Sequence, residues 1–159
     1  MVGIVISEIA PGRDLLEGVI ISELRQFTDA RGSVLHMLRC DDLEFTKFGE
    51  CYFSEVLPGA VKAWKRHRVQ SQHFAVPVGR IRLAIYDDRE ESRTRGRVQT
   101  IELGRPDAYF RLRIPPGLWY GFACISDAPA LLANCADLPH DPAEGEQRAS
   151  IDPEIPYRW

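Results

Sequence analysis

The chain has few of the features that tie a protein to a membrane, a metal or a nucleic acid. No apolar run approaches the ~20 residues a spanning helix needs, so no transmembrane segment is expected. The first ten residues hold a short apolar run but neither a basic start nor a small-residue cleavage pattern, which reads against a secretory leader. Cysteines are scarce: Cys40, Cys51, Cys124 and Cys135 stand singly, without CxxC spacing. That pattern argues against a disulfide framework or a thiolate zinc site and leaves reduced thiols in a cytoplasmic protein as the expectation. A net charge of −3 argues against a general phosphate-backbone binder, and no patch of interleaved basic and aromatic residues stands out beyond 62–68, so no nucleic-acid partner is expected. Internal repeats and low-complexity tracts are also missing.

What is present is a succession of short β-like runs. With 159 residues the chain suits one domain, residues 1–159, with a single core. Apolar segments at 19–24, 33–38, 51–57, 61–64, 74–78, 81–86, 98–103, 110–114, 119–125 and 130–133 are separated by Gly, Pro and Asp turns. Within 80–86, Ile81, Leu83 and Ile85 alternate with Arg80, Arg82 and Ala84, the period of a half-buried strand. Many short strands and no long helix predict a sandwich or barrel. Only 41–48 reads as a short helix, with Asp41 as its cap. The charged run 87–97 reads as an exposed loop, and the closing Tyr157 and Trp159 suggest a tail folded back on the body.

Within this pattern lies a spaced set: Gly59, Lys65, His67, Gln72 and Gly79, followed by Pro115, Pro116, Gly117, Leu118, Trp119 and Tyr120. Their spacing resembles the two metal-binding motifs of the cupins, with Lys65, His67, Gln72 and Tyr120 where those motifs carry ligands. The resemblance implies an all-β cupin, a double-stranded β-helix or jelly-roll barrel with few short helices. Lysine is a cation, glutamine a weak neutral ligand, and tyrosine must first lose its proton, so only His67 is an ordinary ligand. Neither a metal nor another cofactor is expected. A cation, an imidazole, an amide and a phenol instead suit an anionic substrate and proton transfer.

Further residues narrow the resemblance. Asp29, Ala30, Arg31 and Gly32 before a strand, the run 61–67, the hairpin at Gly79 with Tyr86 to Arg89 beyond it, the run 114–122 and the closing Asp152, Pro153, Glu154 and Ile155 are similar to the dTDP-4-dehydrorhamnose 3,5-epimerase family. Typical members deprotonate carbons beside the C4 ketone of a nucleotide-linked deoxysugar. They use a histidine base paired with an aspartate, a tyrosine acid on the opposite face, and a lysine and an arginine near the enolate and phosphates. Carried onto this sequence, the base position holds Lys65, the arginine position Lys62, the enolate lysine position Gln72, and the tyrosine position Leu138. The acidic partner corresponds to Asp152, or less well to Glu154. The resemblance implies that Arg31 meets the nucleotide pyrophosphate, although an exposed arginine in a turn fits equally well. His36 stands where the family often carries a glutamate and could line the pocket. His67 also matches the second histidine of cupin 3,4-ketoisomerases acting on such sugars.

The candidate set is therefore His67, Lys65, Tyr120 and Asp152 for catalysis, with Arg31, Lys62, Gln72, His36 and Trp119 for binding. Lys65 can be read as a base whose charge is disfavoured by its basic neighbours, or as a fixed cation holding a phosphate. The leading expectation is a metal-independent epimerase-like protein acting on a dTDP-4-keto-6-deoxyhexose through an enolate. Its alternatives are a binding cupin without turnover and a 3,4-ketoisomerase. The family resemblance also implies a homodimer formed by exchange of an N-terminal strand.

Overall fold

The computed structural model describes the backbone of Ile6–Glu8 and all of residues 14–159. Among these residues the chain is all β. Its strands are β1 (Ile6–Glu8), β2 (Ile20–Glu23), β3 (Gln26–Asp29), β4 (Gly32–Leu35), β5 (Glu50–Val56), β6 (Val61–His67), β7 (Gln72–Val78), β8 (Arg80–Tyr86), β9 (Val98–Gly104), β10 (Phe110–Ile114), β11 (Trp119–Cys124), β12 (Ala130–Ala136) and β13 (Gly145–Gln147). One sheet runs β1-β9-β8-β11-β6-β13, the facing sheet β2-β10-β7-β12-β5, and β3-β4 forms a separate hairpin. This is the expected double-stranded β-helix.

Side chains alternating toward the gap between the two sheets form the main core. Phe74 and Val76 of β7, Leu112 and Ile114 of β10 and Leu132 of β12 meet Ile81, Leu83 and Ile85 of β8 and Phe122 of β11. All of these are nearly or wholly buried. A smaller cluster on the outer face of the six-stranded sheet joins Trp64, Ala84 and Trp119 to Ile155, Tyr157 and Trp159. The tail thus folds back as its aromatics suggest, and the Trp64 and Trp159 rings lie 5.2 Å apart. Gly79, with φ of 72°, makes the tight β7–β8 hairpin, where a Cβ would sit 2.6 Å from Ala130 Cα.

Three segments differ from expectation. Residues 41–48 form turns rather than a helix: Leu43 and Phe48 are exposed, so no apolar stripe anchors a helix there. Asp42 instead accepts the Arg39 N–H at 2.7 Å and pairs with the buried Arg111. The 87–97 loop is not wholly exposed, because it closes around Asp87, which is fully buried. That carboxylate accepts bonds from the Arg89 guanidinium and from the Ser92 and Thr94 hydroxyls, both at 2.6 Å. Strand β13 lies in a segment that gives no β signal in sequence. Of the N-terminal apolar runs 4–6 and 19–21 that would suit a strand added to a partner sheet, Ile6 opens β1, which pairs in parallel with β9, and Ile20 and Ile21 lie in β2, which pairs with β10, both within the chain; Ile4 and Val5 lie outside the described residues.

Candidate active site

Strand β6 holds the site together, lying between β11 and β13. In a regular strand Lys62 and Lys65 would point to opposite faces. The β6–β11 register shifts, however: Tyr120 lies opposite Lys65 and Phe122 opposite Lys62. The extra residue is a bulge that turns both lysines to one side. Gly121 permits the close approach, since a Cβ there would fall 2.4 Å from Ala63 Cβ.

The result is a cavity of about 330 Å³ between the sheets, lined on one wall by Lys62, Lys65, Tyr120 and Phe122 and on the other by Tyr52, Ser54, Phe74 and Leu132. Lys62 Nζ donates to Ser54 Oγ at 2.9 Å and to the Glu55 carbonyl at 2.7 Å, bridging the two walls. A neighbouring cavity of about 370 Å³ is bounded by His67, His140, Asp141 and Gly145, and Lys65 and Gln147 line both. Among the described residues neither Lys62 nor Lys65 has a carboxylate at ion-pair distance, so this end of the barrel keeps uncompensated positive charge.

Behind Tyr120 runs a chain of buried polar groups. His67 Nδ1 lies 2.6 Å from Glu144 Oε2, and His67 Nε2 lies 3.1 Å from the Tyr120 hydroxyl. Glu144 Oε1 also accepts the backbone N–H groups of Val69 at 2.7 Å and Gln70 at 2.9 Å. Burial opposes the Glu144 charge, but those two N–H groups and the imidazole outweigh it and hold its carboxyl at about 2. An ionised carboxylate can only accept, so Nδ1 carries the imidazole proton. Nε2 is then the lone pair, and it accepts the Tyr120 O–H. Burial lowers the pKa of His67 despite the raising effect of Glu144, leaving the ring neutral and basic at pH 7. Burial likewise raises the pKa of Tyr120 well above its ordinary value.

The structure unites His67, Lys65, Tyr120 and Lys62 of the candidate set around these two cavities. It places the others elsewhere. Gln72 is buried one layer beneath, donating to Gln70 Oε1 at 2.7 Å and accepting from Asn134. Trp119 turns to the outer face between the guanidinium groups of Arg66 and Arg148, and its Nε1 donates to Asp88 at 3.0 Å. Asp152 pairs with Arg148 at 3.6 Å; the carboxylate that meets the imidazole is Glu144 instead. Arg31 sits exposed at the β3–β4 turn, paired with Asp29 at 2.8 Å. His36 lines a separate cavity beside Arg111. Two residues the sequence did not single out are Glu144 and Tyr52. Among the described residues no three His, Cys, Asp or Glu side chains are placed to hold a metal.

Fold and site define a jelly-roll cupin whose pocket is built from proton-active and cationic side chains. A family model described as dTDP-4-dehydrorhamnose 3,5-epimerase matches residues 14–159, and the chain belongs to that family. A dTDP sugar isomerase from Desulfovibrio desulfuricans G20 superposes with a TM-score of 0.89 and 56% identity, covering 92% of this chain and 95% of that one. The probable low-salt glycan biosynthesis epimerase Agl13 of Haloferax volcanii is 40% identical over 121 residues, 75% of this chain and 77% of that protein. The spore coat polysaccharide biosynthesis protein SpsL of Bacillus subtilis is 28% identical over 147 residues, 91% and 97% of the two chains. No helix among the described residues is long and apolar enough to cross a membrane.

Proposed function

We propose that this chain is a metal-independent epimerase of a dTDP-4-keto-6-deoxyhexose, working as a single cupin domain. The observation that carries this reading is the Glu144–His67–Tyr120 chain ending at a cavity edged by unpaired lysines. A ketone at C4 acidifies the neighbouring C–H bonds. The neutral imidazole takes a proton from one of those carbons through or beside the Tyr120 hydroxyl, and the electron pair moves onto the ketone oxygen as an enolate. Lys65, at the junction of the two cavities, is a cation suited to that oxygen or to the diphosphate. It takes the binding role rather than that of base, since the base role falls to an imidazole with a fixed tautomer.

Reprotonation decides the product. A proton returned to the opposite face of the carbon gives the epimer. From the same enolate, loss of the C3 hydroxyl proton with protonation of both C4 and the C4 oxygen would give the 3-keto isomer. Incubation with dTDP-4-keto-6-deoxyglucose in D2O tests the reading, with deuterium expected at C3, C5 or both by NMR. Folded protein that introduces no deuterium at either carbon would falsify it.

A second reading, a binding cupin without turnover, draws support from Lys65 and Leu138 at the positions where the family carries its base and acid. Tight binding of the dTDP-sugar with no exchange, unaltered in Lys65→Ala and His67→Ala, would favour it. Exposed Phe48, Phe53 and Leu57 at and around the open β5 edge support a homodimer. Sedimentation equilibrium is expected to give twice the 18.0 kDa chain mass, and a monomer mass at micromolar concentration would refute this.

A further inference from the structure

The cavity has a phenol on each wall, and only Tyr120 belongs to the chain through His67. Tyr52 reaches in from β5 of the facing sheet, directly opposite Asn134 of β12. A row of buried amides fixes how it is bonded. Gln70 Nε2 donates to the Leu138 carbonyl at 2.6 Å, Gln72 Nε2 donates to Gln70 Oε1, and Asn134 Nδ2 donates both to Gln72 Oε1 and, at 2.9 Å, to the Tyr52 oxygen. The other end of the Asn134 amide is also committed, because its Oδ1 accepts the His73 N–H at 3.1 Å. Asn134 can therefore only donate to Tyr52. The phenol's own proton has no acceptor among the described residues and is free to turn into the cavity. Tyr52 is 38% exposed along the open sheet edge, yet its hydroxyl is withdrawn enough that burial raises its pKa, the Asn134 bond notwithstanding. It stays protonated through neutral pH.

We propose that Tyr52 is the proton donor of this site, delivering its proton to the substrate carbon on the face opposite the His67–Tyr120 couple. The proposal rests on the enolate reading above. In the first step the C–H bond breaks, its proton passes to the couple and comes to rest on His67 Nε2, and the electron pair becomes the enolate. In the second the Tyr52 O–H bond breaks and a new C–H bond forms on the other face, leaving a phenolate held by the Asn134 N–H. Imidazolium and phenolate then return to their resting forms by proton exchange with water, so no other reactant is consumed. Position 138, where the family resemblance places a tyrosine, here supplies only the carbonyl that ends the amide row aiming Tyr52.

The test uses the full chain and dTDP-4-keto-6-deoxyglucose in D2O, comparing wild type with Tyr52→Phe. Deuterium appearing in recovered substrate of unchanged configuration reports proton removal, and inverted product reports donation from the far face. Tyr52→Phe is expected to keep the exchange within a few fold of wild type while inverted product falls on the order of 100-fold. Undiminished inversion would overturn the assignment of Tyr52 alone, as would exchange and inversion falling together in one ratio. No exchange by the wild type would overturn the enolate reading and this proposal with it. Replacing Tyr52 by 3,5-difluorotyrosine keeps the ring and the Asn134 bond but acidifies the phenol. The basic limb of the inversion rate should then move to lower pH, and an unmoved limb would count against the proposal.

Discussion

Glu144 lines neither cavity, yet it sets the chemistry of His67, which does. Its carboxylate fixes the proton on His67 Nδ1 and so leaves the Nε2 lone pair facing the Tyr120 hydroxyl, as the proposed base role requires. Replacing it with glutamine keeps the shape but removes the charge, and the amide can bond the wrong imidazole tautomer. Glu144→Gln should lower the deuterium exchange rate on the order of 10²–10⁴-fold, as removal of an orienting carboxylate does elsewhere. The pH profile separates this from a structural effect. Because burial lowers the His67 pKa and Glu144 raises it, wild-type exchange should rise with pH through a value below the ordinary histidine range. In Glu144→Gln that acidic limb should move lower still. A limb unchanged by the substitution would show that another group is the base. None of this partnership was legible in the sequence, because 77 residues separate the pair and nothing in the acidic tail distinguishes Glu144 from Asp141 or Glu146. His67 and Lys65, by contrast, were legible from the spacing of their glycines.

The strands themselves were mostly readable, because alternation and turn residues are local signals. What could not be read was where the period of two breaks. The β6–β11 bulge brings Lys62 and Lys65 into one cavity at a spacing that would otherwise separate them. Strand β13 was equally hidden: its Gly145, Glu146 and Gln147 carry no β propensity, and it exists because the β6 edge needs a partner, with Gly145 opposite His67 and Gln147 opposite Lys65. That pairing is also what delivers Glu144 to the imidazole. The bulge makes a sharp prediction for β11. An alanine at Gly121 would bring its Cβ to 2.4 Å from Ala63 and 2.8 Å from the Trp159 ring, so the bulge or the tail must shift. Gly121→Ala should cost about 1–3 kcal/mol in urea unfolding, the range for overpacking, and should reduce dTDP-sugar binding by displacing Lys62 and Lys65. Wild-type stability together with wild-type binding would mean that the bulge is not held in place there.

Taken as a whole, the molecule keeps two carboxylates in places that disfavour charge, and this ties its stability to pH. Asp87 is fully buried and Glu144 nearly so. In each case burial opposes ionisation, and hydrogen bonds from guanidinium, hydroxyl, imidazole or backbone N–H groups overcome it, holding both at about 2. A carboxyl whose folded pKa lies below its unfolded value contributes stability that is complete above the unfolded value and lost as pH falls toward the folded one. For these two groups the window runs from about pH 5 down to about pH 2, and each contributes about 2–3 kcal/mol at neutral pH. That is a large part of the ~5–15 kcal/mol by which a domain of this size is stable. His67 acts in the same direction: the unfolded chain takes up its imidazole proton more readily, so some stability is lost already below about pH 6.5. Urea unfolding at fixed protein concentration should therefore show a free energy that declines gently below pH 6.5 and steeply below pH 5. Asp87→Asn isolates one share of the steep part. At pH 7 it should be less stable than wild type by about 2 kcal/mol or more, since the amide still fills the site but cannot accept from Arg89, Ser92 and Thr94 together. As pH falls toward 2 the wild-type carboxyl becomes neutral too, so the gap between the two proteins should shrink steadily. A gap that stays constant from pH 7 to pH 2 would mean that Asp87 holds the 87–97 loop by shape alone and that its charge contributes nothing.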